Sequence, residues 1–436
     1  MQQIEIFQSF FRIEIIPKDS YTYFRKMMSK ELHTLKNSDI TAAEIYKINE
    51  NYKRFDKKNE MFKRPWWDTS IRDRMNAVKP RKIWDNIAEH KGKALWWGSI
   101  FLDYSEGSFF SGHSTDTQGH YSWSHPVGQL GPKDISDNKI EVDNPSNASL
   151  FVKKTALFYG ASIVGVCKLD HRWIYSNSYE SPIKPPYYEP KHLKIDIPDW
   201  WKNVIVIGVE EDYNAIRTSP NHESGAETAL AYSKMGFIAS SLAAYIRGLG
   251  YQAIPLGNDT ALSIPLAIEA GLGRLGRNGL LITPELGPRL RLCKVITNLP
   301  LEPDRPIEFG LDDFCNKCKK CAKLCPSQAI PYDDKTFEGK TVSNNPGLHK
   351  WYVDVEKCHL FWLVNSGKKQ EAPRRISASD CSNCIRVCPW NKPNTQIHKI
   401  AKWSARNTPM LNSFFIQLDD ALGYGKQLSS KDFWDK

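Results

Sequence analysis

The sequence predicts a mixed α/β (α+β) fold that carries a cysteine-rich domain near its C-terminal end. Composition, an alternation of strand-like and helix-like patterns in the middle third, and the placement of the cysteines support this fold class. Of the 436 residues, 41% are hydrophobic, 12% aromatic and 25% charged, which is typical of a globular chain that can build a core. The formal charge of +10 permits an anionic partner without requiring one.

The predicted elements of the middle third follow one another as strands and helices. Short β-branched runs predict buried strands at 162–169 and 204–209. Ser224 and Glu227 match an S-x-x-E capping box, which predicts a helix start there. Apolar residues then recur at intervals of three and four, as expected of an amphipathic helix: Met235, Ile238, Leu242, Tyr245, Ile246 and Leu249. The later elements are a strand at 252–255, a helix at 261–269 and strands at 280–283 and 290–297.

The flanking regions are less regular. Residues 103–147 are rich in Gly, Ser, His, Asp and Asn and predict a long ordered loop or lid, since loops of this length are usually functional. From residue 396 the tail offers two short helical patterns. No run approaches the roughly 18 apolar residues of a membrane helix, and no signal peptide is visible.

Eight of the ten cysteines lie in two spaced groups. Cys315, Cys318, Cys321 and Cys325, followed by Pro326, have the C-x2-C-x2-C-x3-C-P spacing of bacterial ferredoxins. Downstream, the second half of that motif recurs and is preceded by one further cysteine: Cys358, Cys381, Cys384 and Cys388. Zinc and disulfides are the alternatives, but zinc sites favour two separated pairs of ligands.

The spacing also predicts how the ligands are shared between two 4Fe–4S clusters. One tight loop presents three thiolates to one cluster, while the fourth cysteine lies on the next helix and reaches the other cluster. The first predicted ligand set is Cys315, Cys318, Cys321 and Cys388. The second is Cys358, Cys381, Cys384 and Cys325. Two neighbouring clusters imply stepwise electron transfer to a further centre.

A glycine-rich stretch at 271–276 matches G-x-G-x-x-G, but its context argues against a nicotinamide site. It follows a helical pattern and leads into a strand, and no acidic residue stands at the required distance. Gly271, Gly273 and Gly276 still allow backbone to approach a bulky cofactor closely. Flavin, haem and a corrinoid could all accept single electrons; the chain has neither a C-x-x-C-H haem motif nor a D-x-H-x-x-G cobalamin motif.

Further motifs, taken in order, resemble the respiratory reductive dehalogenases from about residue 50 to 395. They are 54–59 (RFDKKN), 64–67 (RPWW), 231–233 (AYS), 257–260 (GNDT), 271–273 (GLG), 289–291 (RLR) and the two cysteine motifs. The resemblance implies base-off cobalamin in a nitroreductase-like core beside a ferredoxin-like domain with two 4Fe–4S clusters. It also implies three regions: a corrinoid and substrate unit at 1–310, the cluster domain at 311–395, and a tail at 396–436 packing on the corrinoid unit.

The same resemblance assigns the candidate site residues. It makes Tyr232 the proton donor, Arg291 its neighbour and Asn258 a positioning residue for the halogen. A nearby guanidinium stabilises phenolate, and Arg keeps its charge in a dry pocket. From periodicity alone these residues would be a core tyrosine, an ion-pair residue and a turn residue. A small organohalide offers few hydrogen bonds, so its pocket should be apolar, and the candidate wall is Trp96, Trp97, Tyr104, Thr228 and Trp362.

Partners and location are likewise implied by the resemblance. We expect a small organohalide substrate (a chlorinated alkane or alkene), a small integral membrane anchor subunit, a quinone-linked or other low-potential electron donor, and no nucleic acid. The family acts as the terminal reductase of organohalide respiration at the extracytoplasmic face of the membrane. No twin-arginine leader is present, so the expectation applies to a mature chain; expression without a leader would leave it cytoplasmic.

Two rival functions remain open from sequence. An epoxyqueuosine reductase-like cobalamin enzyme would act on tRNA, but that family has an acidic residue where this chain has Tyr232, and usually a basic C-terminal extension. The tail here is mixed in charge, with Asp419, Asp420, Asp432 and Asp435. A two-cluster electron-transfer subunit without a substrate site is the other rival, and it would bind no corrinoid.

Overall fold

The computed structural model describes residues 40–79, 87–99, 135–180, 191–365, 381–393 and 395–435. The helices that precede the central sheet are α1 (Ala42–Ile45), α2 (Arg64–Trp67), α3 (Thr69–Ala77), α4 (Ile87–Ser99) and α5 (Pro145–Phe158). Of the predicted loop at 103–147, residues 103–134 lie outside the described residues. The loop ends earlier than predicted, because the Asn144 side chain accepts the backbone N–H of Ser146 at 2.9 Å and Pro145 suits the first helical position.

The described strands form one four-stranded sheet and two small ladders. Their bounds are β1 (Ile163–Lys168), β2 (Asn177–Glu180), β3 (Lys191–Lys194), β4 (Asn203–Glu210), β5 (Ala253–Leu256), β6 (Arg274–Leu275), β7 (Leu281–Ile282) and β8 (Leu290–Thr297). The sheet order is β1-β4-β8-β5, with every pairing antiparallel. The predicted strands at 162–169, 204–209, 252–255 and 290–297 are therefore confirmed, while that at 280–283 shrinks to the two residues of β7.

The helices of the central unit are α6 (Tyr213–Arg217), α7 (His222–Gly248) and α8 (Ser263–Glu269). The capping box predicted at Ser224 and Glu227 is wrong, because α7 already begins at His222. Ser224 lies in the first turn, where its Oγ donates to the carbonyl of Asn221 at 2.8 Å. The buried Thr218 supplies the cap instead, since its Oγ1 accepts the Ser224 N–H at 3.1 Å.

Strand alternation divides the core into two layers. Ile205, Ile207 and Val209 of β4 pack in the layer that contains the apolar face of α7, whereas Val204 and Val206 point to the opposite layer with α8. Helix α7 contacts β4, β5 and β8 directly. Side chains on the α7 side of β4 and β8 therefore meet that helix.

From residue 311 onward the described helices are short. They are α9 (Leu311–Cys318), α10 (Lys320–Lys323), α11 (Val355–Asn365), α12 (Asn383–Arg386), α13 (Gln396–Asn407), α14 (Asn412–Ala421) and α15 (Ser430–Trp434). The tail thus has three α-helices where two were predicted. Among the described helices, none combines the length and the apolar character that crossing a bilayer requires.

The tail contacts both larger parts of the chain. Glu223 of α7 accepts hydrogen bonds from Ser430 Oγ at 3.0 Å and from Trp434 Nε1 at 2.9 Å. Ala405 packs in an apolar cluster with Phe314 and Trp390 of the cysteine-rich region. The tail therefore joins the α7 region to the cysteine-rich region.

Candidate active site and cluster ligands

The three predicted catalytic side chains lie together on the α7 side of the sheet. Asn258 Nδ2 donates to the hydroxyl of Tyr232 at 3.2 Å, and the guanidinium carbon of Arg291 lies 5.5 Å from the centre of the Tyr232 ring. Arg291 reaches this position because it is paired with Val209 across the sheet and so faces α7. The structure brings together residues 232, 258 and 291, and their chemical roles stay a prediction.

Thr228 lies one helical turn before Tyr232, which places both side chains on the same face of α7. Its Oγ1 accepts from Arg291 Nη2 at 3.0 Å and donates to Glu211 Oε1 at 3.1 Å. Thr228 was predicted as part of the substrate wall. Its hydroxyl is already engaged, so it would offer a ligand mainly its methyl group.

Glu211 is a member of this site that the sequence interpretation missed. Its side chain is fully buried, and its Oε1 accepts from Arg291 Nε at 2.9 Å. Its Oε2 is also buried and has no partner among the residues that the structure describes. A donor from water or from a ligand fits there, and the amide arms of a corrinoid carry such donors. The sequence feature that could have indicated Glu211 is its position directly after β4, a strongly buried strand.

The loop that carries Asn258 is held by side chains from a distant part of the sequence. The carbonyl of Asn258 accepts from Lys57 Nζ at 2.9 Å and from the Tyr175 hydroxyl at 3.1 Å. Burial alone would lower the pKa of Lys57, but the Glu60 carboxylate at 2.7 Å outweighs it, and the pKa is raised. Lys57 therefore stays a cation. The motif at 54–59 thus helps to position Asn258.

A second buried cation supports the same loop from the sheet. Lys294 of β8 donates to the carbonyl of Gly257 and to Ser263 Oγ, the latter at 3.1 Å. Burial lowers the pKa of Lys294 to about 8. Within the loop, Asp259 Oδ1 accepts the backbone N–H of Gly257 at 2.7 Å. The loop is consequently fixed on both sides of Asn258.

The predicted aromatic wall is placed only in part. Trp96 and Trp97 pack edge to face on α4, with ring centres 5.3 Å apart, and Trp97 is 53% exposed. Helix α4 packs along α7, where Ser233 Oγ donates to the Ser99 carbonyl at 2.7 Å. Trp362 of α11 lies beside Phe62 and His359. Tyr104 lies outside the described residues.

Gly271, Gly273 and Gly276 are needed for the packing of the chain itself. A Cβ would lie 2.5 Å from the Arg305 carbonyl oxygen at Gly271 and 2.2 Å from the Ile282 carbonyl oxygen at Gly273. At Gly276 it would lie 2.7 Å from a side-chain carbon of Ile282. Internal packing therefore accounts for all three glycines, and their contact with a cofactor stays a prediction.

The first predicted ligand set forms one electrostatic group. Burial raises the pKa of Cys321, and the neighbouring thiols of Cys388, Cys315 and Cys318 raise it further. Cys315, Cys318 and Cys388 also pack on one apolar cluster. These four thiols come from α9, α10 and the loop after α12, as a shared cluster requires. Four converging thiols are the donor set of a 4Fe–4S cluster.

The second predicted set forms a neighbouring group. Burial raises the pKa of Cys384, and Cys381, Cys358, Cys321 and Cys325 contribute in that order. Cys321 belongs to the first set, so the two groups adjoin. Among the described residues, no three His, Cys, Asp or Glu side chains could hold a single metal ion. Thiolates of a 4Fe–4S cluster bind different iron atoms and lie farther apart.

Comparison with known proteins places the chain in a family. It is 35% identical over 403 residues to the tetrachloroethene reductive dehalogenase of Sulfurospirillum multivorans, which covers 85% of this chain and 77% of that protein. The chain belongs to the reductive dehalogenase family. A tetrachloroethene reductive dehalogenase of Desulfitobacterium hafniense is 38% identical over 366 residues, covering 73% of this chain. The chain spans 63% of the length of that relative.

Solved reductive dehalogenase structures have the same fold. The catabolic reductive dehalogenase NpRdhA matches with a TM-score of 0.63 at 24% identity, over 89% of this chain and 49% of that chain. A second structure, described as suggesting a mechanism for B12-dependent dehalogenation, matches with a TM-score of 0.63 over 48% of its length. The chain thus spans about half of each solved protein.

A profile of the 4Fe-4S dicluster domain matches residues 314–392, inside the segment predicted at 311–395. The predicted family, the mixed α/β (α+β) class and the oxidoreductase class of this reductive dehalogenase are confirmed. The predicted cofactors, cobalamin and two 4Fe–4S clusters, agree with these findings. The domain boundaries stay a prediction.

Proposed function

We propose that this protein removes halide from a small organohalide, a chlorinated alkane or alkene, by two-electron reduction. The balanced reaction is R–X + 2e⁻ + H⁺ → R–H + X⁻. Bound cobalamin supplies the reduced cobalt that makes this reduction possible, and the two cysteine groups hold the clusters that deliver single electrons. The convergence of Tyr232, Asn258 and Arg291 in a member of this family is the observation that carries the proposal.

Tyr232 is the proposed proton donor. Asn258 Nδ2 donates to the Tyr232 oxygen, so that oxygen is the acceptor in this contact, and a phenol carries in addition one hydrogen of its own that it can donate. Arg291 lies over the ring and stabilises the phenolate that remains after proton transfer. Asn258 then has two roles in the proposal, since it orients the phenol and helps to position the halogen.

The substrate wall and the cellular setting are part of the same proposal. Trp96, Trp97, Thr228 and Trp362, with Tyr104, would line an apolar pocket suited to a small organohalide. In respiration the protein would act as terminal reductase at the extracytoplasmic face, with a small membrane anchor subunit and a quinone-linked or other low-potential donor. The family membership favours this function over tRNA epoxyqueuosine reduction and over a simple electron-transfer subunit.

The deciding experiment is Tyr232→Phe in anaerobically purified protein. We expect unchanged cobalt and iron contents and a roughly 10²–10⁴-fold loss of halide release from a panel of chlorinated methanes, ethanes and ethenes. Tyr245→Phe, on the same helix, is the matched control and should keep its turnover. Near-normal dehalogenation by Tyr232→Phe would contradict the proton-donor role. Wild-type protein that purifies without any corrinoid would contradict the proposed function as a whole.

A further inference from the structure

Glu211, Arg291 and Thr228 form a closed triangle of hydrogen bonds beside Tyr232. Arg291 Nε donates to Glu211 Oε1 at 2.9 Å, Arg291 Nη2 donates to Thr228 Oγ1 at 3.0 Å, and Thr228 Oγ1 donates to Glu211 Oε1 at 3.1 Å. Each corner therefore fixes the other two. The guanidinium is held by two of its nitrogens, so it cannot rotate without breaking both bonds.

The backbone of Glu211 is held as firmly as its side chain. Its N–H donates to the carbonyl of Arg289 at 3.2 Å, and its own carbonyl accepts from Arg289 Nη1. Arg289 also donates to Asn391 Oδ1 at 3.0 Å and pairs with Glu210 at 2.6 Å. Asn391 stands three residues after Cys388, so the cysteine-rich region contributes to the placement of Glu211.

Because the triangle is largely buried, the charges of Glu211 and Arg291 must compensate each other. A carboxylate without solvent contact is costly to bury unless it is paired, and the Arg291 guanidinium supplies the paired charge. An unpaired guanidinium over the Tyr232 ring would strongly favour the phenolate. The negative charge of Glu211 offsets that effect, and a proton donor must keep its proton until the substrate accepts it.

We propose that Glu211 is a positioning residue that orients Arg291 and, by its charge, keeps the Tyr232 phenol protonated until proton transfer. This inference rests on the proposed function of Tyr232. Glu211 would act through Arg291, to which it is hydrogen bonded. Removing the charge of Glu211 while keeping its shape should therefore shift the titration of Tyr232 to lower pH.

Other charged groups near this site also influence the titration of Tyr232, but they are identical in all the variants that are compared. Glu227 and Lys234 on α7 and Asp212 after β4 belong to the charge group of Glu211, whereas Lys57, Lys294 and Asp259 belong to the loop that carries Asn258. Glu211 acts on Arg291 through a direct hydrogen bond. A variant that changes only Glu211 leaves the rest of this background in place.

The test places 3-fluorotyrosine at position 232 of the cob(III)alamin holoenzyme and follows its ¹⁹F NMR shift against pH. Glu211→Gln keeps an acceptor oxygen, and we expect the label to titrate about one pH unit lower than in the otherwise unchanged protein. Glu210→Gln is the matched control. It removes the same charge one residue away on a half-exposed side chain, while Arg289 keeps its hydrogen bonds to the Glu211 carbonyl and to Asn391, so the titration should stay unchanged.

The same shift should appear in the alkaline limb of the turnover profile of Glu211→Gln with native tyrosine. An unchanged or higher titration in Glu211→Gln, or an equal shift in Glu210→Gln, overturns the inference. If Glu211→Gln loses its cofactors, Glu211→Asp keeps the charge and shortens the side chain. That variant should lose turnover several-fold with no lowering of the titration, and a lowered titration would overturn the inference. The NMR titration is independent of turnover, so it is readable even if the proton-donor role of Tyr232 fails.

Discussion

At Tyr232 the hydroxyl accepts from Asn258, and Asn258 is in turn held through its own backbone carbonyl by Lys57 and Tyr175. Lys57 and Tyr175 lie far from Tyr232 in the sequence. The resemblance to the family selected Tyr232, Asn258 and Arg291, whereas periodicity alone indicated ordinary structural residues; their phenol, amide and guanidinium groups suit proton transfer and halide contact. Their hydrogen bonds, and the part played by Glu211, depend on the folded chain.

Glu227 offers a test at the same scale. Burial raises its pKa to about 7, and the nearby Glu211 and Asp212 add to that effect. Between pH 4.5 and 7 the unfolded chain loses this proton while the folded chain retains it, so the residue progressively destabilises the fold as pH rises. We expect Glu227→Gln to be more stable than wild type by ~1–3 kcal/mol at pH 8 and equally stable near pH 4.5.

Thermal unfolding of both proteins at several pH values measures this difference. The exposed Glu141 provides the control variant Glu141→Gln, whose stability should follow wild type throughout. A Glu227→Gln protein that gains nothing at pH 8 would show that this carboxyl ionises normally in the fold.

At the scale of elements, the tail and the cysteine-rich region are joined by a buried ion cluster. Asp419 of α14 is paired with Lys320 of α10 at 2.5 Å and with Lys392, and all three are largely buried. Lys320 also pairs with Asp420 at 2.6 Å, but Asp420 is 62% exposed. The two adjacent acids therefore differ in burial while sharing one partner.

Asp419→Asn should destabilise the cysteine-rich region by ~3–5 kcal/mol, because it removes the carboxylate paired with the buried Lys392 and leaves the buried Lys320 with only the exposed Asp420. Asp420→Asn is the matched change and should cost about 1 kcal/mol or less, since exposed pairs are worth little. The guanidinium concentration at which cluster absorbance is lost, measured without oxygen, gives the comparison. Equal midpoints for the two variants would mean that the buried Asp419 stabilises this region no more than the exposed Asp420 does.

At the scale of the whole molecule, each cysteine group draws on both halves of the cysteine-rich region. Cys388 adjoins the thiols of residues 315–321, and Cys325 adjoins Cys384. Both clusters would therefore depend on the same folded domain. Because the two cysteine groups adjoin, electrons could pass from one cluster to the other. The same region reaches the candidate site through Arg289, which donates to Asn391 Oδ1 and to the carbonyl of Glu211.

Cys321→Ser should degrade one cluster and leave the other, lowering the iron content from about eight atoms per chain toward about four. Cys167→Ser changes a buried thiol outside both groups and should keep all of the iron. Iron analysis and the electron paramagnetic resonance spectrum of the reduced protein measure the outcome. An unchanged iron count in Cys321→Ser would refute the assignment of Cys321 as a ligand.

The sequence alone determined the mixed α/β class, the main strands and the two-cluster motif, because short-range spacing and periodicity encode them. Cys-x2-Cys spacing is local geometry, and the β-branched runs of β4 and β8 dictate buried strands. The antiparallel order of the sheet, the true start of α7 and the Glu211–Arg291–Thr228 triangle were decided by tertiary structure. The sheet and the triangle join residues 17 or more positions apart, and the cap of α7 comes from Thr218, which lies outside the S-x-x-E pattern. No local pattern records these contacts.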